Sequence, residues 1–465
     1  MSLAYDVTKG PIFKRLLAIA IPVLLTSISQ MAYNLTDMFW IGQVDTIGLI
    51  EKEAIAGIGT AGYITWFAFG LILIGRIGTS VKVSHAVGEQ DFSRVAKYAT
   101  NGLFVLFSFG LIFGFGVLLL QHQIVGLFQI ENQNVIHHAL EYLRIVGGLL
   151  VIQFTISGFS SINEGLGKTK VNFYVLIVGL VLNMILDPLL IIRFQMGVSG
   201  AAIATIIAQS VTLVIFIVLY FVRRNHNFHF HLPSIQRKTI AELIRIGFPA
   251  GIQSMFFTSI SIVLARMIFA YGESVLTAQR IGAQIEQFTW MIGGGFQTAL
   301  TVFVGQNYGA KQFDRIKRGT AVLASVLLPY ALVITALLFF FSRELVHIFV
   351  DDLEVIEYGS LYLRIISIAQ LFMMLEGIGA GLFNGVGLTK VPSVSGIIGN
   401  LMRIPLAFLL IEAFAYEGIW WALNISDIFK GLTLLIGAFV LFPRIERWYS
   451  IDQAKKQKRL LNLSN

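Results

Sequence analysis

Cysteine is absent from the 465 residues, which excludes disulfides, thiolate metal sites and cysteine nucleophiles. Charge is scarce as well. Asp, Glu, Lys and Arg make up 13% of the chain, against roughly 25% in soluble domains. With 56% hydrophobic residues and a mean hydropathy of +0.77, there are too few polar groups to cover a water-facing surface. A cytosolic enzyme, a secreted domain and a disordered protein are therefore excluded, and a polytopic membrane protein remains. Nor does a short apolar region with a small-residue cleavage site follow the polar start MSLAYDVTKGPIFKR. The first apolar stretch is accordingly read as a retained helix and not as a signal peptide. The net charge of +8 does not point to nucleic acid, because the basic residues are spread over short loops and the C-terminus.

What is present is a series of long apolar segments, near 13–42, 53–84, 95–121, 134–160, 170–193, 198–222, 240–270, 275–305, 318–342, 356–382, 391–412 and 418–442. Each is long enough to cross a bilayer, which takes about 20 residues. The runs are continuous, unlike the short alternating segments of a membrane β-barrel. The fold class is therefore all-α and polytopic, with twelve transmembrane helices. Lys and Arg collect in alternate connections (Arg94 and Lys97; Lys168 and Lys170; Arg223, Arg224, Arg237 and Lys238; Lys311, Arg315, Lys317 and Arg318), whereas Asp45, Glu51, Asp351 and Asp352 mark the others. The positive-inside rule then puts both termini in the cytoplasm.

The chain also repeats itself. YLRI at Tyr142–Ile145 returns at Tyr362–Ile365, EGLGKTKV at Glu164–Val171 as NGVGLTKV at Asn384–Val391, and VGEQDFSR at Val87–Arg94 as GAKQFDR at Gly309–Arg315. Pro22 matches Pro249, and Asn183-x4-Pro188 matches Asn400-x4-Pro405. The separation stays near about 220 residues throughout, so the chain reads as two pseudo-symmetric six-helix lobes of one orientation. The boundaries expected are 1–225 for the N-terminal lobe, 226–239 for a cytoplasmic linker, 240–443 for the C-terminal lobe and 444–465 for a basic tail. Transporters built from such halves bind at their interface near the membrane midplane.

Acids inside apolar spans are costly, at least about 2.5–3.5 kcal/mol each, and mark candidate sites. They are Asp37, Asp187, Glu286, Glu376 and Asp427. Asn183 and Asp187 share one helix face, and Pro188 disturbs the hydrogen-bond ladder beside them. The pair either serves a cation or caps a helix break. In the second half Asp187 corresponds to Ile404, Thr205 to Leu423 and Asp37 to the stretch Leu264–Met267, none of them acidic. The carboxylates are not duplicated, so coupling chemistry is expected in the first half. Glu286 is open between binding a cationic substrate and pairing with Arg266 or Arg403, while Asp427 and Lys430, three apart on a helix, read as a neutralising pair. Tyr33, Trp40, Phe154 and Met291 lie in or near apolar spans and are candidates to line a cavity for lipophilic cations, or else ordinary packing residues. A metal site among His226, His229 and His231, one at His137–Glu141, and a phosphate loop at GLGKT are each set aside for want of the required pattern.

YNLTDMFWIG at the end of the first span, VGQNYGAKQFDR after the eighth, and the GLGKTK and GVGLTK turns resemble the multidrug and toxic compound extrusion family. Asp37 in TD and Asp187 in NMILDP resemble the branch named for the DNA-damage-inducible F protein. The resemblance implies two six-helix lobes, a central cavity and cation-coupled export of organic, drug-like compounds. It also implies that Thr205 joins Asp37, Asn183 and Asp187 in an all-oxygen set suited to H+ or Na+, with no other metal and no cofactor. A monomer in the cytoplasmic membrane is expected, in contact with lipids and with no nucleic acid partner. The alternative is a flippase for a lipid or lipid-linked sugar precursor, which would need many cationic residues in its cavity. The spans hold few, among them Arg76, Arg266, Arg403 and Lys430. An intramembrane enzyme using the carboxylates is a third reading, and the duplicated architecture argues against it.

Overall fold

The computed structural model describes residues 5–47, 52–128, 130–222, 235–447 and 449–451, with the side chains of 33–47, 52 and 55 outside the description. The order of helices is α1 (Ile12–Ile47), α2 (Lys52–Gly88), α3 (Phe92–Gly126), α4 (Gln133–Tyr142), α5 (Leu150–Gly165), α6 (Thr169–Pro188), α7 (Gly197–Ile217), α8 (Arg237–Phe269), α9 (Glu273–Gly309), α10 (Phe313–Phe340), α11 (Ser342–His347), α12 (Leu353–Ser367), α13 (Gln370–Gly385), α14 (Lys390–Phe414) and α15 (Glu417–Leu441). No strand occurs among the described residues. Helices dominate because a bilayer offers backbone groups no water, and a helix satisfies them within one segment.

Nine of these helices are long and apolar enough to cross a membrane, and two bent pairs, α4–α5 and α12–α13, each make one further span. The twelfth is α9. Its 37 residues suffice in length, but Gln279, Arg280, Gln284, Glu286 and Gln287 dilute its apolar character. The fold is thus an all-α membrane bundle of twelve spans. Large apolar side chains such as Ile112, Phe115, Leu119, Phe408, Leu409 and Phe439 stay exposed, as lipid-facing residues do.

The duplication seen in the sequence is a duplication of structure. The bends fall in matching spans, at 45° and 49°, each beside a YLRI segment. Arg144 and Arg364, equivalent in the two copies, each reach a polar group of the preceding segment: Gln121 Oε1 at 3.2 Å and Ser342 Oγ at 3.1 Å. Gly167 and Gly387, at equivalent turns, adopt φ of 71° and 85°, where a Cβ would be strained. Gln90 and Lys311, also equivalent, both adopt φ 60°. A turn that survives in the left-handed region without glycine in both copies is held by the helices on either side.

Contacts divide the chain into two compact units. The first comprises Met1–Tyr5, Ile19–Val83 and Asp91–Met255, and the second comprises Asp6–Ala18, Ser84–Gln90 and Phe256–Asn465. In the first, Ala68, Ile72, Leu106, Leu150 and Phe154 form a buried cluster. A polar staple accompanies it. Asn163 Nδ2 donates to Asn172 Oδ1 at 2.8 Å, Asn172 Nδ2 to the Ser160 carbonyl at 2.9 Å, and Tyr220 OH to Asn163 Oδ1 at 2.6 Å. In the second, Tyr362 and Trp420 meet edge to face at 5.4 Å inside a cluster with Ile260, Leu264, Ile366 and Ile419.

Glycine sets how closely helices approach. In the first unit a Cβ on Gly247 of α8 would lie 1.8 Å from the Ile74 carbonyl oxygen of α2, and one on Gly78 of α2 would lie 2.2 Å from the Leu243 carbonyl oxygen. Neither obstacle is a side chain that can rotate away. Gly247→Ala is expected to destabilise the protein by about 1–3 kcal/mol, the usual cost of overpacking. A thermal melt of the detergent-purified variant, lower than that of wild type, is the check.

Candidate functional site

In the first unit α6 carries the expected pair. Its apolar sequence maintains the helix up to Pro188, after which the ladder widens into a π-helical segment, Leu189–Arg193. Asn183 Nδ2 donates to Asp187 Oδ1 at 2.8 Å, and both side chains are buried. Gly179, one turn before Asn183, lets α6 close on α7: a Cβ there would fall 2.1 Å from Thr212 Oγ1. Thr205 stands on α7, half-buried, and its hydroxyl donates to the Ala201 carbonyl at 3.0 Å. The described contacts thus join Asn183 to Asp187 and hold Thr205 to its own helix. Asp37, Tyr33 and Trp40 fall on α1 where side chains lie outside the described residues. Phe154 is fully buried among Ile72, Leu106 and Leu150, with its ring 6.4 Å from that of Phe113. It packs the core and does not line a cavity.

A buried ion pair escaped the sequence reading. Arg76 of α2 pairs with Glu164 of α5, 88 residues apart. The Glu164 carboxylate is nearly covered, whereas the Arg76 side chain keeps 32% of its exposure. In the repeat Glu164 corresponds to Asn384, so this pair belongs to the first unit alone.

The second unit holds a denser cluster. Arg403 of α14 donates from Nη2 to Asp427 Oδ1 of α15 at 2.7 Å and from Nε to Ser426 Oγ at 3.0 Å. Lys430, one turn beyond Asp427, lies 2.8 Å from the same Oδ1 and 3.0 Å from Glu376 Oε2 of α13. Gly399 makes room for this: a Cβ there would lie 2.5 Å from Lys430 Cγ. Two cations and two carboxylates balance. The Asp427–Lys430 pair was legible from its i,i+3 spacing. The capture of Arg403 and Glu376 required α13, α14 and α15 to meet.

Glu286 on α9 is within Coulombic reach of Asp427 but takes none of these cations. It accepts from Trp290 Nε1 at 3.3 Å, Tyr362 OH at 3.3 Å and Gln370 Nε2 at 3.4 Å, all neutral donors, and it is buried. The expected pairing with Arg403 is corrected: Arg403 is committed to Asp427. Arg266 is exposed on α8 and enters no ion pair among the described residues. Trp290 carried a signal, being one turn from Glu286. Tyr362 and Gln370 carried none, because they arrive from α12 and α13. Met291, half-buried, follows Trp290. With the other four charges balanced, the Glu286 carboxylate is a surplus negative charge in a membrane span, which requires a proton or an incoming cation.

Twelve spans in two copies, with Glu286 buried among neutral donors, are the architecture of a membrane transporter. The chain belongs to the MatE family, whose sequence profile matches residues 22–189 and 249–409. Among curated relatives it is 24% identical to "Probable multidrug resistance protein NorM" of Thermotoga maritima, over 91% of each chain. It is 22% identical to "Multidrug export protein MepA" of Staphylococcus aureus, over 95% of this chain and 96% of that one. Its fold is similar to the outward-facing structure of a multidrug resistance MATE family transporter, with a TM-score of 0.88 at 18% identity, covering 96% and 99% of the two chains. It also resembles a transporter from Pyrococcus furiosus described as having a binding pocket of reverse polarity, with a TM-score of 0.87 at 19% identity over 95% and 98%.

Removing one partner of a buried ion pair costs about 3–5 kcal/mol. Arg403→Met is therefore expected to lower the melting temperature sharply, and Arg403→Met with Asp427→Asn to regain much of it, since Lys430 keeps Glu376. A melt of both variants in one detergent reads the difference.

Proposed function

We propose that this protein is a secondary active multidrug efflux transporter, exporting lipophilic and often cationic organic compounds by antiport with H+ or Na+. The observation that carries the reading is the division of buried acids into two kinds. Asp187 is set against an amide on a helix that ends in a proline and a π-helical segment. Glu286 is set among aromatic and amide donors without a cation.

Asp187, with Asn183, Thr205 and Asp37, takes the coupling cation. The Asn183 amide lies 2.8 Å from the Asp187 carboxylate, and either H+ or Na+ would neutralise the charge there. Binding the cation cancels the charge on α6, and the local geometry beside Pro188 then changes. Glu286 takes the positive nitrogen of a substrate, with Trp290 supplying a ring face and Met291 an adaptable surface. Tyr33 and Trp40 line the same path in this reading. The division at 1–225, 226–239, 240–443 and 444–465, cytoplasmic termini, a monomeric state and membership of the DNA-damage-inducible F branch belong to the same proposal.

The flippase alternative wants uncompensated cations for a pyrophosphate. Arg76, Arg403 and Lys430 are all paired with carboxylates, which leaves Arg266 as the one of these four without an ion pair among the described residues and disfavours that alternative.

Efflux of a fluorescent lipophilic cation from membrane vesicles tests the reading, with a pH gradient and a Na+ gradient imposed separately. Asp187→Asn is expected to cut gradient-driven efflux by at least about tenfold. Glu286→Gln is expected to raise the KM for the cationic probe severalfold and to spare a neutral one. Undiminished efflux by Asp187→Asn would remove Asp187 from the coupling site. Equal losses for cationic and neutral probes would remove Glu286 from substrate binding.

A further inference from the structure

Where α9 turns into α10, the second unit has a cleft of about 380 Å3 whose lining includes Lys311, Arg315 and Arg318. Lys311 and Arg318 are exposed. Arg315 is anchored: its guanidinium donates to the Val7 carbonyl at 3.1 Å and the Gly10 carbonyl at 2.8 Å. Those partners are dipoles; of the charged groups nearby, Asp6 attracts the guanidinium and Arg15 repels it. Among the described residues none of the three cations enters an ion pair. Of the two acids in the lining, Asp314 faces Lys317 at 3.6 Å, which leaves Glu446 as the single uncommitted carboxylate. The lining therefore carries three cations against two acids, and one of the cations, Arg315, is anchored.

The repeat supplies the comparison. At the equivalent turn of the first copy Gln90 stands for Lys311, and Arg94 stands for Arg315. There Lys82 pairs with Glu242, Arg94 Nη2 lies 3.4 Å from Tyr98 OH, and Tyr98 OH donates to Glu242 Oε2 at 3.4 Å. The first copy sets a tyrosine that reaches a carboxylate beside its arginine, and the second sets backbone carbonyls beside Arg315. Three cations at one turn with no ion pair among the described residues leave a place for an anion supplied from outside the chain.

We infer that this cleft binds the phosphate headgroup of an anionic phospholipid. The turn lies at the basic-loop end of the spans, where headgroups sit. Ile12 and Phe313 contribute apolar surface to the lining, and Phe13 beside it is exposed, so an acyl chain has an apolar path away from the charges. Clustered basic side chains next to a span are the recognised basis of anionic-lipid binding. The anionic headgroup docks against Lys311, Arg315 and Arg318, and its tail follows the start of α1.

The test is a lipid titration of the full-length protein in detergent, read by thermal unfolding. The probes are phosphatidylglycerol, phosphatidylcholine and inorganic phosphate. Phosphatidylglycerol is expected to stabilise wild type, with half-saturation at least about tenfold below that of phosphatidylcholine. Lys311→Gln with Arg318→Gln, both at exposed positions, should raise the phosphatidylglycerol half-saturation about tenfold while leaving the lipid-free melt in place. Lys455→Gln with Lys456→Gln should leave the titration unchanged. Unaltered phosphatidylglycerol binding by the first double variant would overturn the site. Loss of lipid preference in the tail variant would assign it to general electrostatics. Stabilisation by inorganic phosphate alone, equal to that by the lipid, would replace the headgroup with a free anion.

Discussion

Everything in this molecule answers to one constraint: inside a bilayer no water is available to satisfy a polar group. The backbone meets it by being helical. Side chains meet it by finding one another, often across the whole length of a unit. Asn163, Asn172 and Tyr220 close a hydrogen-bonded set. Arg76 finds Glu164. Arg403 and Lys430 find Asp427 and Glu376. Where the constraint is met within the fold, the residues hold the structure together. At Glu286 the constraint is met by neutral donors alone among the described residues, Trp290, Tyr362 and Gln370.

The duplication shows which features belong to the scaffold. The bent spans, the YLRI arginines and the left-handed turns at Gln90 and Lys311 recur with the same geometry, because each copy must solve the same packing problem. The buried carboxylates Glu164 and Asp187 do not recur, their counterparts being Asn384 and Ile404. The first unit places its acid on α6 and the second places its surplus acid on α9. Gene duplication of this kind leaves helix geometry under common constraint and frees the buried polar positions to diverge.

Much of the fold was legible in composition and spacing. Twelve apolar runs, loop charge and the repeat near about 220 residues sufficed for an all-helical duplicated bundle. The weak apolar character of α9 did not conceal it, because its length and its place in the repeat compensated. Part of the site was legible too. Asn183 with Asp187, and Asp427 with Lys430, are pairs at helical spacing, and a helix brings them together regardless of the fold around it. Phe154 stays open in the sequence, because an aromatic in an apolar span looks the same whether it faces a cavity or a core; the fold buries it among Ile72, Leu106 and Leu150.

The sequence by itself determined the membrane class, the two copies and the local pairs, because hydrophobicity and helical periodicity act over short range. Only the tertiary structure decided that Arg403 goes to Asp427 and not to Glu286, that Glu376 joins the same cluster, and that Arg76 is neutralised by a residue 88 positions away. Those outcomes depend on which helices touch and at which depth. Buried charges pair by proximity in space, and nothing in the linear order of residues records that distance.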